Sequence, residues 1–280
     1  MTPTPRLPGD DHVHSQWSWD TTAGDMNAAC ARAVRLGLPS IAFTEHVDHT
    51  AWAVDDVAAL PQDWTRHGVV EGTLRPPPFD VEGYLASVER CRARYPSLTV
   101  LTGVELGEPH WHAPAVSALL SSGSFARVLA SVHSAPVAAG HVDSSQHYAH
   151  VPPAAVVEGY LDEVARLVTS YDDFQVLAHL DYPLRAWPQH VPFDAHDFGE
   201  HYRHVLTLLR ERGKVLEVNT RLPMPRILLQ WWHELGGEAI SFASDAHRPE
   251  LVASGFRDAV AMAELVGFRA PADPLAFWHR

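Results

Sequence analysis

A short stretch near the start of the chain is rich in side chains that can bind a metal ion. It reads DDHVHSQWSWD, from Asp10 to Asp20, and it places His12 and His14 one residue apart. In a β-strand the side chains at i and i+2 point to the same face, so both imidazoles could bind one ion. The alternative is a solvated turn that carries histidines, and for this stretch taken alone that is the more common case.

The same types of side chain recur where other predicted strands end. Short apolar runs bounded by turn signals indicate seven strands. These are Asp10–Ser15, Ser40–His46, Leu98–Leu106, Arg127–Ser134, Gln175–Asp181, Lys214–Thr220 and Ala239–His247. The polar residues towards their ends are His12, His14, Glu45, His46, Glu105, His133, His179, Asp181, Glu217, Asn219, Asp245 and His247.

Amphipathic helices separate these strands, and this alternation predicts the fold. The clearest helices are Thr22–Leu36, Val81–Tyr95, Ala154–Ser170, Asp197–Arg212, Pro225–Leu235 and Gly255–Val266. Strand–helix alternation indicates parallel strands with helices outside, and apolar strands without alternation fit a sheet buried on both faces. In a β/α barrel the carboxyl ends of the strands meet at one mouth, whereas an open, doubly wound sheet spreads them along an edge. We therefore predict an α/β fold, a seven-stranded TIM-like barrel without an eighth strand.

The organisation of the chain is predicted to be simple. We expect a single domain over residues 1–280, with long mouth-side loops near 47–80 and 135–153. Loops of this length in a compact domain are commonly lids or specificity elements.

Charge and composition restrict the classes of partner. The net charge is −13, so an extended grip on a nucleic acid polymer, which needs a basic surface, is not expected. The two cysteines form no CxxC pair, which argues against a disulfide framework or a thiolate zinc site. The sequence shows neither a signal peptide nor an apolar run of membrane-spanning length, so we expect a cytoplasmic protein without membrane contact.

Burial of six histidines and three carboxylates at one mouth costs free energy, which other interactions must offset. Metal ions supply such interactions. Imidazole and carboxylate ligands without thiolate suit zinc, manganese, iron or nickel, and ligand type does not choose among these metals.

The ordered motifs DxHxHS, TEH, GxE, SVH, HxD, ExN and SDAH resemble those of the polymerase-and-histidinol-phosphatase (PHP) family, from Asp10 to about His247. Chain length and the SVHS and EVNT segments look most like its stand-alone histidinol-phosphate phosphatases. The resemblance implies a distorted seven-stranded barrel with three divalent metal ions. The implied ligands are His12, His14, Glu105 and Asp245 for the first ion, Glu105, His133 and His179 for the second, and Asp20, His46 and His247 for the third.

The resemblance also implies a reaction, the hydrolysis of a small phosphate ester, foremost L-histidinol phosphate. A metal-bound hydroxide would attack phosphorus in line. The side chains that hold this hydroxide would be Glu105, His12, His14 and His133. Three divalent ions outweigh three carboxylates, so the pocket would be positive and would attract a phosphate despite the acidic exterior.

Substrate-binding residues are predicted from their position near the mouth. Arginine suits bidentate phosphate binding, and the candidates are Arg185, Arg221 and Asn219. An amine on the substrate could be held by Asp48, Glu108 or Asp143. Glu45 neighbours His46 but points oppositely on a strand, so it is expected to support the ligands rather than bind metal.

Three alternatives remain at this point. A PHP-type enzyme could act on a nucleotide or a short oligonucleotide. An amidohydrolase also has HxH on its first strand, but it often uses a carbamylated lysine on a middle strand, and the only lysine, Lys214, opens its strand and lies at the wrong end. A metal-bearing module without catalysis would have lost ligands, whereas every expected ligand is present. The oligomeric state is left open.

Overall fold

A computed structural model describes residues 7–54, 56–138 and 140–280. Within these residues the main sheet has eight strands, β1 to β7 parallel in chain order and β8 antiparallel to β7. The strands are β1 (Asp10–Val13), β2 (Ser40–Asp48), β3 (Thr99–Gly107), β4 (Arg127–Ser131), β5 (Val176–Leu177), β6 (Val215–Asn219), β7 (Ala239–Ala243) and β8 (Trp278–His279).

The sheet curls until its first strand meets the residues that follow β7. The amide of His14 donates to the carbonyl of Ala246 at 2.9 Å, and the amide of Asp245 donates to the carbonyl of His12 at the same distance. A parallel bridge between Val13 and Ala246 accompanies these bonds. The fold is therefore α/β and barrel-like, with the carboxyl ends of β1–β7 around one mouth.

The predicted strand count is not confirmed. Each predicted strand overlaps an observed parallel strand, but β8 adds an eighth that we did not predict. A strand of two residues is too short to show any hydrophobic period. It is recognised only through its pairing, in which Trp278 lies opposite Ile240.

Helices follow the strands and cover the sheet. They are α1 (Met26–Leu36), α2 (Gln62–Thr65), α3 (Val81–Arg94), α4 (Ala113–Ser121), α5 (Pro153–Ser170), α6 (Gly199–Glu211), α7 (Arg226–Glu234) and α8 (Phe256–Val266). Their ends carry ordinary signals: the Asp25 carboxylate caps α1 by accepting from the amide of Ala28, and Gly37 ends it with φ 72°. The six predicted helices are present, and α2 and α4 are additional ones.

The sheet is buried on both faces, as the apolar strands predicted. All residues of β6 and β7 are buried. Leu161 of α5, Leu206 of α6 and Trp232 of α7 share one apolar cluster with these strands. Burial of each such side chain contributes on the order of 2–3 kcal/mol, which fixes the strand ends that carry the polar residues.

The two long mouth-side segments contain structure of their own. The first has the antiparallel strands Trp52–Ala53, Val69–Val70 and Thr73–Leu74 together with α2, and we call residues 52–54 and 56–74 the cap. The second forms an antiparallel pair of strands, Ser134–Val137 and Gly140–Asp143. Among the described helices, none has both the length and the apolar character needed to cross a bilayer.

Candidate metal centre

The mouth of the sheet collects all nine side chains that were predicted to bind metal. Glu105, near the end of β3, lies at their centre. Its Oε1 is 2.7 Å from Nε2 of His179 and 3.2 Å from Nε2 of His133. Its Oε2 is 3.2 Å from Nε2 of His12 and 3.1 Å from Nδ1 of His46. Groups of nitrogen and oxygen atoms close enough to bind one ion are His12–His14–Asp245, Glu105–His133–His179, His14–His46–His247 and His46–Asp48–His133.

The pair of histidines on β1 shows most directly that a cation fits here. Nε2 of His12 lies 3.0 Å from Nε2 of His14. Nδ1 of His12 faces a Glu217 oxygen at 2.8 Å, and Nδ1 of His14 faces Oγ of Ser18 at 2.9 Å, while that hydroxyl donates to Glu45. When both rings are neutral, as metal binding requires, the network assigns the proton of each ring to Nδ1. Both Nε2 lone pairs then point at each other, an arrangement that a metal ion between them would relieve.

Other buried polar atoms in the mouth have close neighbours but make no hydrogen bond within the described part of the chain. These are Oε2 of Glu105, Nδ1 of His46, Nδ1 of His179 and Oδ1 of Asp20. A buried polar atom without a hydrogen bond is costly and in a native site often marks an ion or water. The donor set of imidazoles and carboxylates therefore fits divalent transition metals.

Three of the predicted ligands form a more open part of the mouth. Oδ2 of Asp20 lies 3.0 Å from Nε2 of His247 and 3.4 Å from Nε2 of His46. These side chains are 10–16% exposed, whereas His12, His14 and Glu105 are completely buried. The third predicted ion would therefore lie nearest to solvent.

Charges around the centre are strongly coupled. Burial alone would raise the pKa of Glu105, but the neighbouring His12, His133 and His46 hold it well below its usual range. Burial lowers the pKa of His14 well below its usual value, and His46 and His247 act in the same direction. His14 is therefore neutral, as a metal ligand must be.

Asp245 is placed by an unusual backbone and by two arginines. Its φ is 51°, a region that non-glycine residues rarely adopt, and such strain is common at functional sites. Nη2 of Arg185 lies 2.7 Å from its Oδ2, and Nη1 of Arg221 lies 3.3 Å from its Oδ1. Although burial acts in the opposite direction, these arginines lower the pKa of Asp245 well below its usual range.

The centre lies at the base of a cavity of about 450 Å3. Arg185 and Arg221, both predicted to bind substrate, line it, and the cap contributes Trp52, Asp63 and Trp64. Asn219 is placed differently from the prediction. It is fully buried and does not line this cavity, because its amide is used within the wall, where it donates to Glu217 Oε1 at 2.8 Å.

Comparison with known proteins identifies the family. A model of the PHP domain matches residues 10–221, about three quarters of the chain. The chain belongs to the PHP domain family. The resemblance found in the motifs is confirmed.

Individual PHP relatives align along most of the chain. A Thermotoga maritima protein named "Probable histidinol-phosphatase" is 23% identical over 256 residues, 89% of this chain and 88% of that protein. A protein of the same name from Clostridium acetobutylicum is 26% identical, over 91% of this chain and 92% of its own length. The crystal structure of histidinol phosphate phosphatase from Lactococcus lactis subsp. lactis, complexed with zinc, L-histidinol and phosphate, has a TM-score of 0.79 and 21% identity, covering 98% of this chain and 99% of that one.

Sequence reasoning missed the role of Asp48 in this PHP domain. Its Oδ1 lies 3.0 Å from Nδ1 of His133, and its Oδ2 accepts from the Trp19 indole at 2.8 Å. The carboxylate thus orients His133 and joins one of the groups that could hold an ion. The available signal was position, because Asp48 is two residues beyond His46 on β2 and shares its face.

The other two acids suggested for a substrate amine are both buried, and only Asp143 borders the cavity. Glu108 is fully buried and accepts from the amides of His133 and Ser134 and from the Thr50 hydroxyl, so it cannot meet a substrate. Asp143 lines the cavity, with its Oδ2 accepting from the Tyr182 hydroxyl at 2.8 Å. Glu45 accepts from Ser15 and Ser18 and supports the β1 loop, the position expected for it.

Proposed function

We propose that this PHP chain is a metal-dependent phosphomonoesterase and that its substrate is L-histidinol phosphate. The observation that carries the proposal is the His12–His14 pair, whose facing lone pairs lie against Glu105 at the base of an arginine-lined cavity. Hydrolysis of a phosphate ester needs metal ions to activate water and cationic groups to bind the phosphate, and this cavity offers a site for each.

Three divalent ions are proposed, held by the ligands named from the resemblance. His12, His14, Glu105 and Asp245 would hold the first, Glu105, His133 and His179 the second, and Asp20, His46 and His247 the third. When bound, such ions lower the pKa of water and neutralise charge on a transferring phosphoryl group. Zinc, manganese, iron and nickel all suit these ligands.

The protein's own groups would orient the reactants. His12, His14, Glu105 and His133 converge where the attacking water is proposed to be held. Arg221 is 46% exposed at the cavity, so its guanidinium can reach a phosphate there while one of its nitrogens stays near the buried Asp245. Arg185, 16% exposed and stacked over the Tyr182 ring at 5.0 Å, would supply a fixed second cation.

The choice of substrate rests on the relatives and on the cavity. The names of the two aligned relatives and the L-histidinol and phosphate in the Lactococcus lactis structure support histidinol phosphate. The cavity also offers the indoles of Trp52 and Trp64 and the carboxylates of Asp63 and Asp143, which suit a cationic, ring-bearing organic group.

The remaining alternatives have less support. A carbamylated-lysine centre is disfavoured because Lys214 precedes β6 at the amino end and donates to the carbonyls of Asp172 and Phe174 at 2.6 and 2.9 Å. A nucleotide substrate remains the nearest alternative, since it carries the same phosphate. A module without catalysis would not need arginines in the cavity.

The deciding experiment is a panel of phosphomonoesters assayed with manganese or zinc. It should contain L-histidinol phosphate, a nucleoside monophosphate, a serine phosphate and p-nitrophenyl phosphate, each with and without chelator. We expect kcat/KM to be highest for L-histidinol phosphate and to be lost with chelator. A higher kcat/KM for the nucleoside monophosphate would mean that the substrate is a nucleotide and not L-histidinol phosphate. Absence of turnover with every ester would reject the proposed phosphatase activity.

A further inference from the structure

Asp20 differs from the other proposed ligands in how it is held. His12 belongs to β1, His46 to β2 and Glu105 to β3, so the sheet fixes their backbones. Asp20 lies in a turn between β1 and α1, outside any strand or helix. A ligand on a turn needs contacts from elsewhere if its carboxylate is to stay at a metal position.

The cap supplies such contacts to the residue before Asp20. Nη2 of Arg66 donates to the carbonyl of Trp19 at 2.8 Å, and its Nε donates to the same oxygen at 3.2 Å. Nη2 also reaches the carbonyl of Ser18 at 3.3 Å, and Nε2 of His67 lies 2.5 Å from the Trp19 oxygen. The peptide that leads into Asp20 is thus held by the Arg66 guanidinium, with the His67 ring beside the same oxygen.

The side chain of Trp19 is held by the same segment. Its indole belongs to the apolar cluster of the cap, with Trp52, Leu60 and Leu74. Its ring lies 5.3 Å from that of Trp52 and 5.6 Å from that of Trp64. Trp19 is therefore part of the core of the cap, although it comes from the loop after β1.

A contact on the other side of Asp20 completes the arrangement. The Thr22 hydroxyl donates to the Asp63 carboxylate at the start of α2. Residues on both sides of Asp20 are therefore bonded to the cap, whereas Asp20 itself faces His46 and His247.

We propose that the cap is a clamp for the third metal site and that Arg66 is a positioning residue, which holds Asp20 in place through the Trp19 peptide. The inference rests on the metal ligands of the proposed function. It predicts that a cap side chain with no contact to the proposed ions controls the affinity of one ion and leaves the other two unaffected.

The test is metal binding by equilibrium dialysis against manganese, with ions counted per chain. Arg66→Ala should weaken the third equivalent by about tenfold or more, which corresponds to about 1.4 kcal/mol, with the first two unchanged. Arg66→Lys, which keeps a donor, should recover part of the affinity, and Arg66→Gln serves if the alanine variant folds poorly. Arg75→Ala is the matched control, because Arg75 is an exposed arginine immediately beyond the cap.

A double variant separates the clamp from a general loss of structure. Asp20→Ala alone should lose the third equivalent, and Arg66→Ala combined with Asp20→Ala should bind no fewer ions than Asp20→Ala. A further loss in the double variant, or full affinity in Arg66→Ala, overturns the clamp. A wild-type protein that binds fewer than three ions, or an Asp20→Ala variant that keeps all three, overturns the proposed ligand set itself and the clamp with it.

Discussion

Oε2 of Glu217 lies 2.8 Å from Nδ1 of His12, although 205 positions of sequence separate the two residues. The contact exists because β1 and β6 bring their carboxyl ends to the same mouth. It sets the tautomer of His12 and leaves Nε2 free to bind metal, as carboxylates behind metal-binding histidines commonly do. Glu217 therefore acts on the centre although it is not one of the proposed ligands.

Replacement of Glu217 by Gln should impair the centre without removing a ligand. Oε1 of Glu217 accepts from the amide of His179 and from the Asn219 side chain, while Oε2 serves His12. A glutamine cannot accept at both positions, so one donor would face its NH2 group. We expect metal affinity and kcat/KM to fall about 10- to 100-fold. Glu238→Gln, at an exposed position, is the control, and equal metal affinity in both variants would contradict the assignment.

Loss of a ligand should have a larger effect than loss of a supporting carboxylate. His14→Ala removes an Nε2 that lies within 3.5 Å of both His12 and Glu105. Turnover should drop more than about 100-fold, which exceeds the 10- to 100-fold loss expected when only a carboxylate behind a ligand is changed. The circular dichroism spectrum should stay close to that of the wild type. His150→Ala, at an exposed loop position, should leave kcat unchanged. Activity that survives in His14→Ala would remove this residue from the centre.

The sequence predicts which side chains meet at the mouth because parallel strands impose a simple rule. The carboxyl ends of β1–β7 meet, so polar residues at the ends of apolar runs must meet also. His12, Glu105 and His179 were found in this way. Asp48 follows the same rule, since it ends β2 two residues beyond His46. In the cap, where the chain returns to the mouth outside the main sheet, no such rule marks the residues that contact the site.

Two further differences follow from packing that a sequence does not display. The antiparallel β8 is recognised only from its partner β7. Asn219 shares a face of β6 with Glu217 and ends the strand at the mouth, yet it is buried in the wall, where its amide donates to Glu217. Strand alternation gives the face of a residue but not its depth in the barrel.

Removal of metal should cost both activity and stability. Each ion that binds only the folded chain stabilises it by about 2.7 kcal/mol when present at 100 times its dissociation constant. Exhaustive dialysis against a chelator should therefore abolish turnover and lower Tm by about 5–10 °C for each ion removed, for a chain of this size. Manganese or zinc should restore both and calcium should not, because the ligands include many imidazoles. Turnover that persists in metal-free protein would contradict a metal-dependent reaction.

Arg221 should affect substrate capture more than metal content. Its guanidinium is 46% exposed at the cavity, and its neighbours there are Asp245 and His247. A charge-assisted hydrogen bond contributes about 1.5–3 kcal/mol, so Arg221→Ala should raise KM about 10- to 100-fold while ions per chain stay constant. Arg257→Ala, an exposed arginine on α8, is the control. An unchanged KM for Arg221→Ala would exclude it from phosphate binding.

Trp278 tests whether β8 belongs to the stable part of the fold. The residue is 5% exposed, pairs with Ile240 of β7 and packs edge-on against Phe242 at 4.9 Å between ring centroids. Trp278→Ala would leave a cavity at the edge of the sheet and should lower the free energy of unfolding by about 3–5 kcal/mol. Trp278→Phe keeps most of the volume and should cost much less. Urea unfolding of both variants measures the change in stability. Because β8 lies outside the metal centre, the alanine variant should keep the KM of the wild type when assayed at a temperature below its Tm. A Trp278→Ala variant as stable as the wild type would show that β8 contributes little to the stability of the fold.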